Sequence, residues 1–430
     1  MLGRGVRWLA SPEGPLLADA RSGPSKGAGQ QPVLARQRQN WLAACSLVSL
    51  GLLPLAHAES PDRADPFGPQ LSWRPIIDIR GRLEGQGAPM PDSRSVGQVA
   101  RVGIEADRGI LSARVSLQEV RAWTGDGDAL TTSGSFAPEM AEAWTRLDGE
   151  LSPNVGGRLT IGRQPLQIDD GRLVGTRDWD LQGQFLDAVR FELTAAPFSL
   201  EVVNARRFEP PTGEESTADD PFGLGLTVLR AGVGRAGPDL DGKLDLLSVA
   251  DARNTAAVTT TTGFFGTLST GRTLAKVEAY VQKNPHGDAS FTSGEFAYVL
   301  GRRRAWVARV RYSTASGDPG TGDLAAFQPV LGDTHDQFGL LDLLQPADEP
   351  GGLTDFALIG ELQAGARVLL KGQAHRLGSS LDGSAYAYET DLSMAWRITP
   401  YAAWELGVGQ ASGGTLGLTA GGYMQITVGM

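Results

Sequence analysis

From about residue 75 onward the chain is patterned in period two. Apolar side chains alternate with charged or polar ones in one short segment after another, with no helical interlude. Ile77, Ile79, Gly81 and Leu83 share a face, and Asp78, Arg80, Arg82 and Glu84 take the other. Ala100, Val102, Ile104 and Ala106 oppose Arg101 and Glu105, and Leu111, Ala113, Val115 and Leu117 oppose Arg114, Ser116 and Gln118. The pattern returns near the end, where Trp306, Ala308, Val310 and Tyr312 oppose Arg309 and Arg311, and Met424, Ile426 and Val428 oppose Tyr423, Gln425 and Thr427. Counting such segments predicts about 18 strands, joined alternately by short turns and longer loops. Residues 315–352 are read as one long loop, and Thr259–Thr270 as a Thr-rich hairpin.

A soluble sandwich also alternates. Two features favour a membrane barrel. The polar side carries many charges, which hydrocarbon cannot satisfy, so in lipid that side must enclose water. Aromatic residues gather near strand ends, where an interfacial girdle would lie: Trp144, Trp306, Trp396, Trp404, Phe185 and Phe191. The expected fold is therefore all-β, a transmembrane antiparallel β-barrel over residues 75–430, preceded by a polar lead-in at 59–74.

The N-terminal part reads as targeting sequence. Residues 35–58 combine Arg36 and Arg38, an apolar stretch from Trp41 to Ala56, and the small-x-small run Ala56-His57-Ala58. This predicts a signal peptide ending at Ala58, with residues 1–34 an early start or a leader. Beyond it no apolar run is long enough for a membrane helix. The full chain has 39 basic and 49 acidic residues; removing the 6 basic and 2 acidic residues of 1–58 leaves a net charge of −14 and no cysteine. Disulfides are thereby excluded, and the acidic balance argues against nucleic acid.

Positive charge is nearly all arginine. Arg80, Arg82, Arg101, Arg114, Arg146, Arg158, Arg190, Arg309 and Arg311 fall on the predicted lumen side. Two roles are open to them. Guanidinium groups suit carboxylates, so the set can form a conduit for anions. They can equally pair with Asp78, Glu84, Glu105, Glu142, Glu192 and Glu278 and brace the wall. The histidines show neither metal spacing nor a nucleophile elbow. The chain is read as a non-enzyme without cofactor or metal; Asp169, Asp170, Asp178 and Asp180 lack a calcium-loop spacing.

The stretch Arg158–Leu193 is the most distinctive. Two alternating strands flank a long polar loop, Asp169–Asp180, that either folds inward, caps a mouth or stays in solvent. Within it, Gly162-Arg163-Gln164, Asp170-Gly171-Arg172-Leu173-Val174-Gly175, Trp179 and Phe185-Leu186-Asp187-Ala188-Val189-Arg190 resemble the signature hairpin of the bacterial alginate-export outer-membrane family. The resemblance implies a monomeric 18-stranded barrel with an Arg-lined lumen, and a signature loop carrying Arg163, Gln164, Asp170, Arg172, Gly175 and Trp179. It implies passive passage of an anionic polysaccharide or smaller anionic solute, with outer-membrane lipid and the barrel-insertion machinery as partners. A general small-molecule porin is the alternative, and a secreted structural β protein a third.

Overall fold

In the computed structural model, residues 71–429 are described except 88–92, 125–137, 208–224, 253–257, 302–305, 321–324 and a few single or paired positions. The expected signal peptide and leader lie outside the described residues.

The chain forms 18 strands: β1 (Ser72–Gly87), β2 (Ser93–Arg108), β3 (Leu111–Thr124), β4 (Glu139–Ser152), β5 (Val155–Pro165), β6 (Phe185–Ala195), β7 (Phe198–Arg207), β8 (Leu226–Arg235), β9 (Asp241–Asp251), β10 (Thr259–Thr270), β11 (Thr273–Asn284), β12 (Gly287–Leu300), β13 (Trp306–Ala315), β14 (Leu353–Gln363), β15 (Val368–Gly378), β16 (Ala385–Thr399), β17 (Ala402–Ser412) and β18 (Thr419–Gly429). Each pairs antiparallel with the next, and β18 pairs with β1 from Asp78↔Gly429 to Gly87↔Ala420. The sheet is closed, so no strand edge is left unpaired.

Outward side chains are those that alternation assigned to lipid. Ile79, Leu83, Val102, Ile104, Ile161, Val310, Leu358, Leu392 and Val408 are all exposed. A soluble domain could not leave so continuous an apolar surface uncovered; a bilayer covers it. At one end β2–β3, β4–β5, β6–β7, β10–β11 and β16–β17 are joined by connections of two residues. The other end carries the long loops. By the usual asymmetry of such barrels the short-turn end is periplasmic and the long-loop end extracellular.

Three expectations need correction. Thr259–Thr270 is one strand, β10, not a hairpin. Its threonines are β-branched and favour extended backbone. Trp144 and Phe185 are not girdle residues. Trp144 faces the lumen, where its Nε1 donates to Glu142 at 3.0 Å, and Phe185, at the very start of β6, has the inward Arg101 guanidinium 5.2 Å from its ring centroid. Trp306 and Trp396 are exposed outward near the short-turn end, and Trp404 stacks edge-on to Trp396 with centroids 6.5 Å apart.

Candidate lumen constriction

Two loops turn into the barrel. The first, residues 166–184 between β5 and β6, buries Leu166, Ile168, Leu173, Val174 and Trp179. Its turn is tight: Ile168 N–H donates to Val174 O at 2.9 Å, and Gly171 takes φ +85°, which favours glycine. The second, residues 316–352 between β13 and β14, buries Phe327, Leu331, Phe338, Leu341 and Leu344. The loops pair with each other by backbone. Leu331 N–H donates to Leu173 O at 2.9 Å, Gly175 N–H to Leu331 O at 3.0 Å, and Asp333 N–H to Gly171 O at 2.9 Å. Gln184 Nε2 reaches both Gly175 O (2.7 Å) and Leu331 O (3.0 Å). Gly175 sits so close to Asp333 that an added Cβ would come within 2.9 Å of it.

The inward wall explains why the loops stay inside. Its polarity changes with height. On β6 the inward positions run Leu186, Ala188, then Arg190, Glu192; on β7 they run Ala205, Val203, then Glu201; on β8 Leu226, Val228, then Arg230; on β9 Val249, Leu247, then Asp245, Lys243. The extracellular half is apolar and packs against the two loops as one buried cluster that also takes in Phe291, Leu353 and Leu377. The periplasmic half is charged. Burying each large apolar side chain of this cluster is worth about 1.5–3 kcal/mol, so the loops are packed elements of a core.

On the opposite wall, arginines of β1 and β2 hold the returning limb of the first loop. Arg80 donates to the carbonyl of Asp178, Arg82 to that of Trp179 at 2.8 Å, and Arg101 to that of Gln182 at 3.2 Å. The Arg82 guanidinium also covers one contact surface of Trp179, whose ring stacks on His335 with centroids 4.3 Å apart and meets Tyr423 edge-on at 4.5 Å. The second loop is held by β13, β14, β15 and β16. Arg311 bonds the carbonyl of Gln337 and, at 3.2 Å, Asp355. Leu341 N–H donates to Glu389 at 2.9 Å and Leu340 N–H to Asp391 at 3.2 Å. Gly339 lies against Glu389 with φ +110°, leaving no room for a side chain.

The nine arginines singled out above all point inward, but they divide. Arg80, Arg82 and Arg311 are nearly buried and, with Arg101, are bound to the loops. Arg114, Arg146, Arg158, Arg190 and Arg309 lie lower and keep between 22% and 46% of their side-chain surface exposed. Every one of the nine has a carboxylate within 4 Å, so bracing pairs are present throughout. Examples are Arg114–Glu142 at 3.0 Å, Arg190–Glu201 at 2.7 Å and Arg309–Glu361 at 3.0 Å.

The signature-loop residues also divide. Arg172 is buried, its Nε donating to Glu278 Oε1 at 2.9 Å and its Nη2 lying 2.9 Å from the same oxygen, and its guanidinium is 4.3 Å from the Phe291 ring centroid. Asp170 pairs with Lys276; burial opposes its charge, but Lys276 and Arg172 outweigh that and hold its carboxyl below the ordinary value. Asp169 takes Arg230 (3.1 Å) and Lys243 (3.3 Å), yet burial and its hydrogen bond with Asp245 push its carboxyl up. Burial, aided by Asp180 and Asp178, raises Asp333 as well. Gln164 faces inward and donates to Ala188 O at 3.2 Å. Arg163 faces outward, in a two-bond pair with Asp187 at 2.9 and 3.0 Å, so it takes no part in the lumen.

Arg230, Lys243 and Lys276 were not singled out from sequence, although each stands at an inward position of an alternating strand. Their importance appears only once Asp169 and Asp170 arrive from a loop more than 60 residues away. Among the described residues no cluster of His, Cys, Asp or Glu suits a metal ion.

No family model matches the chain, and no curated protein matches it. Solved structures do. Pseudomonas aeruginosa OccK9 (OpdG) superposes with TM-score 0.56 at 12% identity, covering 83% of this chain and 98% of the other. P. aeruginosa OpdK, solved with vanillate, gives 0.55 at 10% identity, and OccK2 (OpdF), solved in complex with glucuronate, 0.54 at 11%; both cover 83% of this chain and 98% of theirs. At such identity the likeness concerns the fold. The likeness supports a porin-like barrel rather than membership of the alginate-export family. Closed strands, an apolar exterior and two inward loops make this chain a porin-like β-barrel of the bacterial outer membrane.

Proposed function

We propose that the chain is a passive channel for small organic anions, taken up across the outer membrane. The observation that carries this reading is the backbone pairing of Leu173–Gly175 with Leu331 across the lumen. Two packed loops joined inside the barrel leave a solute to pass beside them, which suits a compact molecule better than a threading polymer. An anionic polysaccharide, the expectation drawn from the hairpin resemblance, is thereby disfavoured. Vanillate and glucuronate, named with two of the similar structures, are single carboxylates on small rings.

The partly exposed guanidinium groups Arg114, Arg146, Arg158 and Arg190 supply the recognition. They stand on adjacent strands β3 to β6, each with at least one acid that holds its head in place. A carboxylate can exchange with those acids from one arginine to the next, with no step binding too tightly to leave. The barrel acts alone in this reading, with outer-membrane lipid around it and the insertion machinery required to place it.

Planar-bilayer recording tests this. Current should favour anions, and millimolar vanillate or uronate monomer should block it, while uronate oligomers do so no better per sugar. Replacing Arg114, Arg146, Arg158 and Arg190 by Ser should lower anion preference. Block by oligomers alone would restore the polysaccharide reading; unchanged selectivity would remove these four residues from the path.

A further inference from the structure

The outer surface carries a strip unlike the rest of the lipid-facing wall. At the extracellular ends of β13–β17, Tyr312, Phe356, Arg376, Tyr388 and Ser412 stand directly opposite one another in successive strand pairs. All five are exposed. Arg376 Nη2 donates to Gly383 O at 3.3 Å, so one of its five N–H groups is fixed at the rim of the 379–384 loop. Thr390 and Gln410, opposite each other, lie one outward step closer to the membrane middle. Leu392 and Val408 lie a further step in and are among the most exposed side chains of the barrel. Along a tilted strand, four residues descend about 10 Å.

Two other outward cations at this end face an acid. Lys283 stands opposite Asp288 on β12, and Arg163 is paired with Asp187. The Arg376 row, and the two positions below it on β15–β17, hold no Asp or Glu. A guanidinium facing lipid without a carboxylate opposite it requires an anion from the membrane itself, because hydrocarbon cannot neutralise it. The geometry points to a binding site for a phosphorylated glycolipid of the outer leaflet. Arg376 takes the phosphate, to which guanidinium is well matched. Ser412, Thr390 and Gln410 take sugar hydroxyls at two depths. Phe356 and Tyr388 flank the headgroup at the interface, as aromatic residues do, and Leu392 and Val408 carry acyl chains. The staggered polar groups select a sugar-bearing headgroup over a simple phospholipid, whose polar atoms lie in one layer.

The test uses the full barrel, purified in mild detergent from its outer membrane and washed. Native mass spectrometry should find phosphorylated glycolipid retained by the wild type and by Lys283→Gln, and retention about tenfold lower in Arg376→Gln. Thr390→Val should lower it in the same direction, and both variants should keep heat-modifiable migration. On add-back, the glycolipid stripped of phosphate, and phosphatidylglycerol, should each rebind about tenfold more weakly than the intact glycolipid. Equal retention by Arg376→Gln and wild type overturns the site. Equal loss in Lys283→Gln shows a non-specific annulus, and equal rebinding of phosphatidylglycerol removes the sugar contacts; either also overturns it. Conductance of Arg376→Gln should be unchanged, since this side chain faces away from the lumen, so the outcome is independent of the channel reading.

Discussion

The guanidinium carbon of Arg82 lies 3.9 Å from the centroid of the Trp179 ring. The two residues are 97 apart in sequence, and the same arginine donates to the Trp179 carbonyl. With His335 stacked on the ring and Tyr423 at its edge, Trp179 ties together β1, β18 and both inward loops. It is where a loop reaching from β5 is fastened to the far wall.

Trp179→Ala should therefore loosen the first loop without opening the barrel. Removing a fully packed tryptophan costs about 3–5 kcal/mol, and here most of that falls on loop attachment. The expected outcome is a noisier, larger single-channel conductance, while the gel shift between folded and heated barrel persists. An unchanged conductance trace would show that this end of the loop does not border the path.

Much of the barrel was legible in the chain, for a physical reason. A strand with lipid on one side and water on the other must alternate, and the alternation of Ile77–Glu84 or Trp306–Tyr312 is visible without any partner. The change of inward polarity with height was not read. Leu186 and Ala188 share a face with Arg190 and Glu192, and only the arriving loops give the apolar pair something to bury. The loops themselves have no periodicity. Leu173 and Val174 sit among Asp, Arg and Gly, and their partner Leu331 is more than 150 residues away. The same limit applies to Arg163, grouped with the signature loop by resemblance, when its strand position turns it toward lipid and pairs it with Asp187.

Arg172 tests whether the buried ion pair specifies the loop or merely tolerates it. Arg172→Ala leaves Glu278 buried with only Lys276, at 3.8 Å, to compensate. Breaking such a pair by removing one partner costs about 3–5 kcal/mol. Replacing both, Arg172→Met with Glu278→Leu, should recover most of that loss, because two desolvated charges are removed together. Thermal unfolding in detergent, followed by near-UV circular dichroism, measures both. A double variant as unstable as the single one would show that the pair itself holds the loop.

Loop attachment should depend on pH through Asp333. Burial, then the nearby Asp180 and Asp178 carboxylates, raises this carboxyl above its ordinary value. A raised acid binds its proton more tightly in the folded loop than in the released one. Its contribution is therefore full below about pH 4, the value for a free carboxyl, and is lost as pH climbs from there through the raised value. Channel noise from loop release should grow over that interval and level off above it. Asp333→Asn should flatten most of the rise, and Asp169→Asn, raised in the same direction, the remainder. A rise of equal size in the double variant would place the titrating group elsewhere.

The last prediction separates the two kinds of inward arginine. Arg80 and Arg82 are buried against loop carbonyls, whereas Arg146 and Arg158 keep 28% and 46% of their side-chain surface exposed. Arg80→Ser with Arg82→Ser removes two charge-assisted hydrogen bonds, each worth about 1.5–3 kcal/mol, along with the cover over Trp179. It should lower the unfolding midpoint and raise conductance, with ion preference little changed. Arg146→Ser with Arg158→Ser removes only partly exposed pairs, which contribute about 0–1 kcal/mol each. That variant should unfold as the wild type does but shift reversal potential toward cations, because Asp148 loses both of its counter-charges and Glu192 keeps only Arg190. Measuring midpoint and reversal potential on both variants gives four values. The division holds if the two effects appear in opposite variants, and falls if one pair of substitutions moves both.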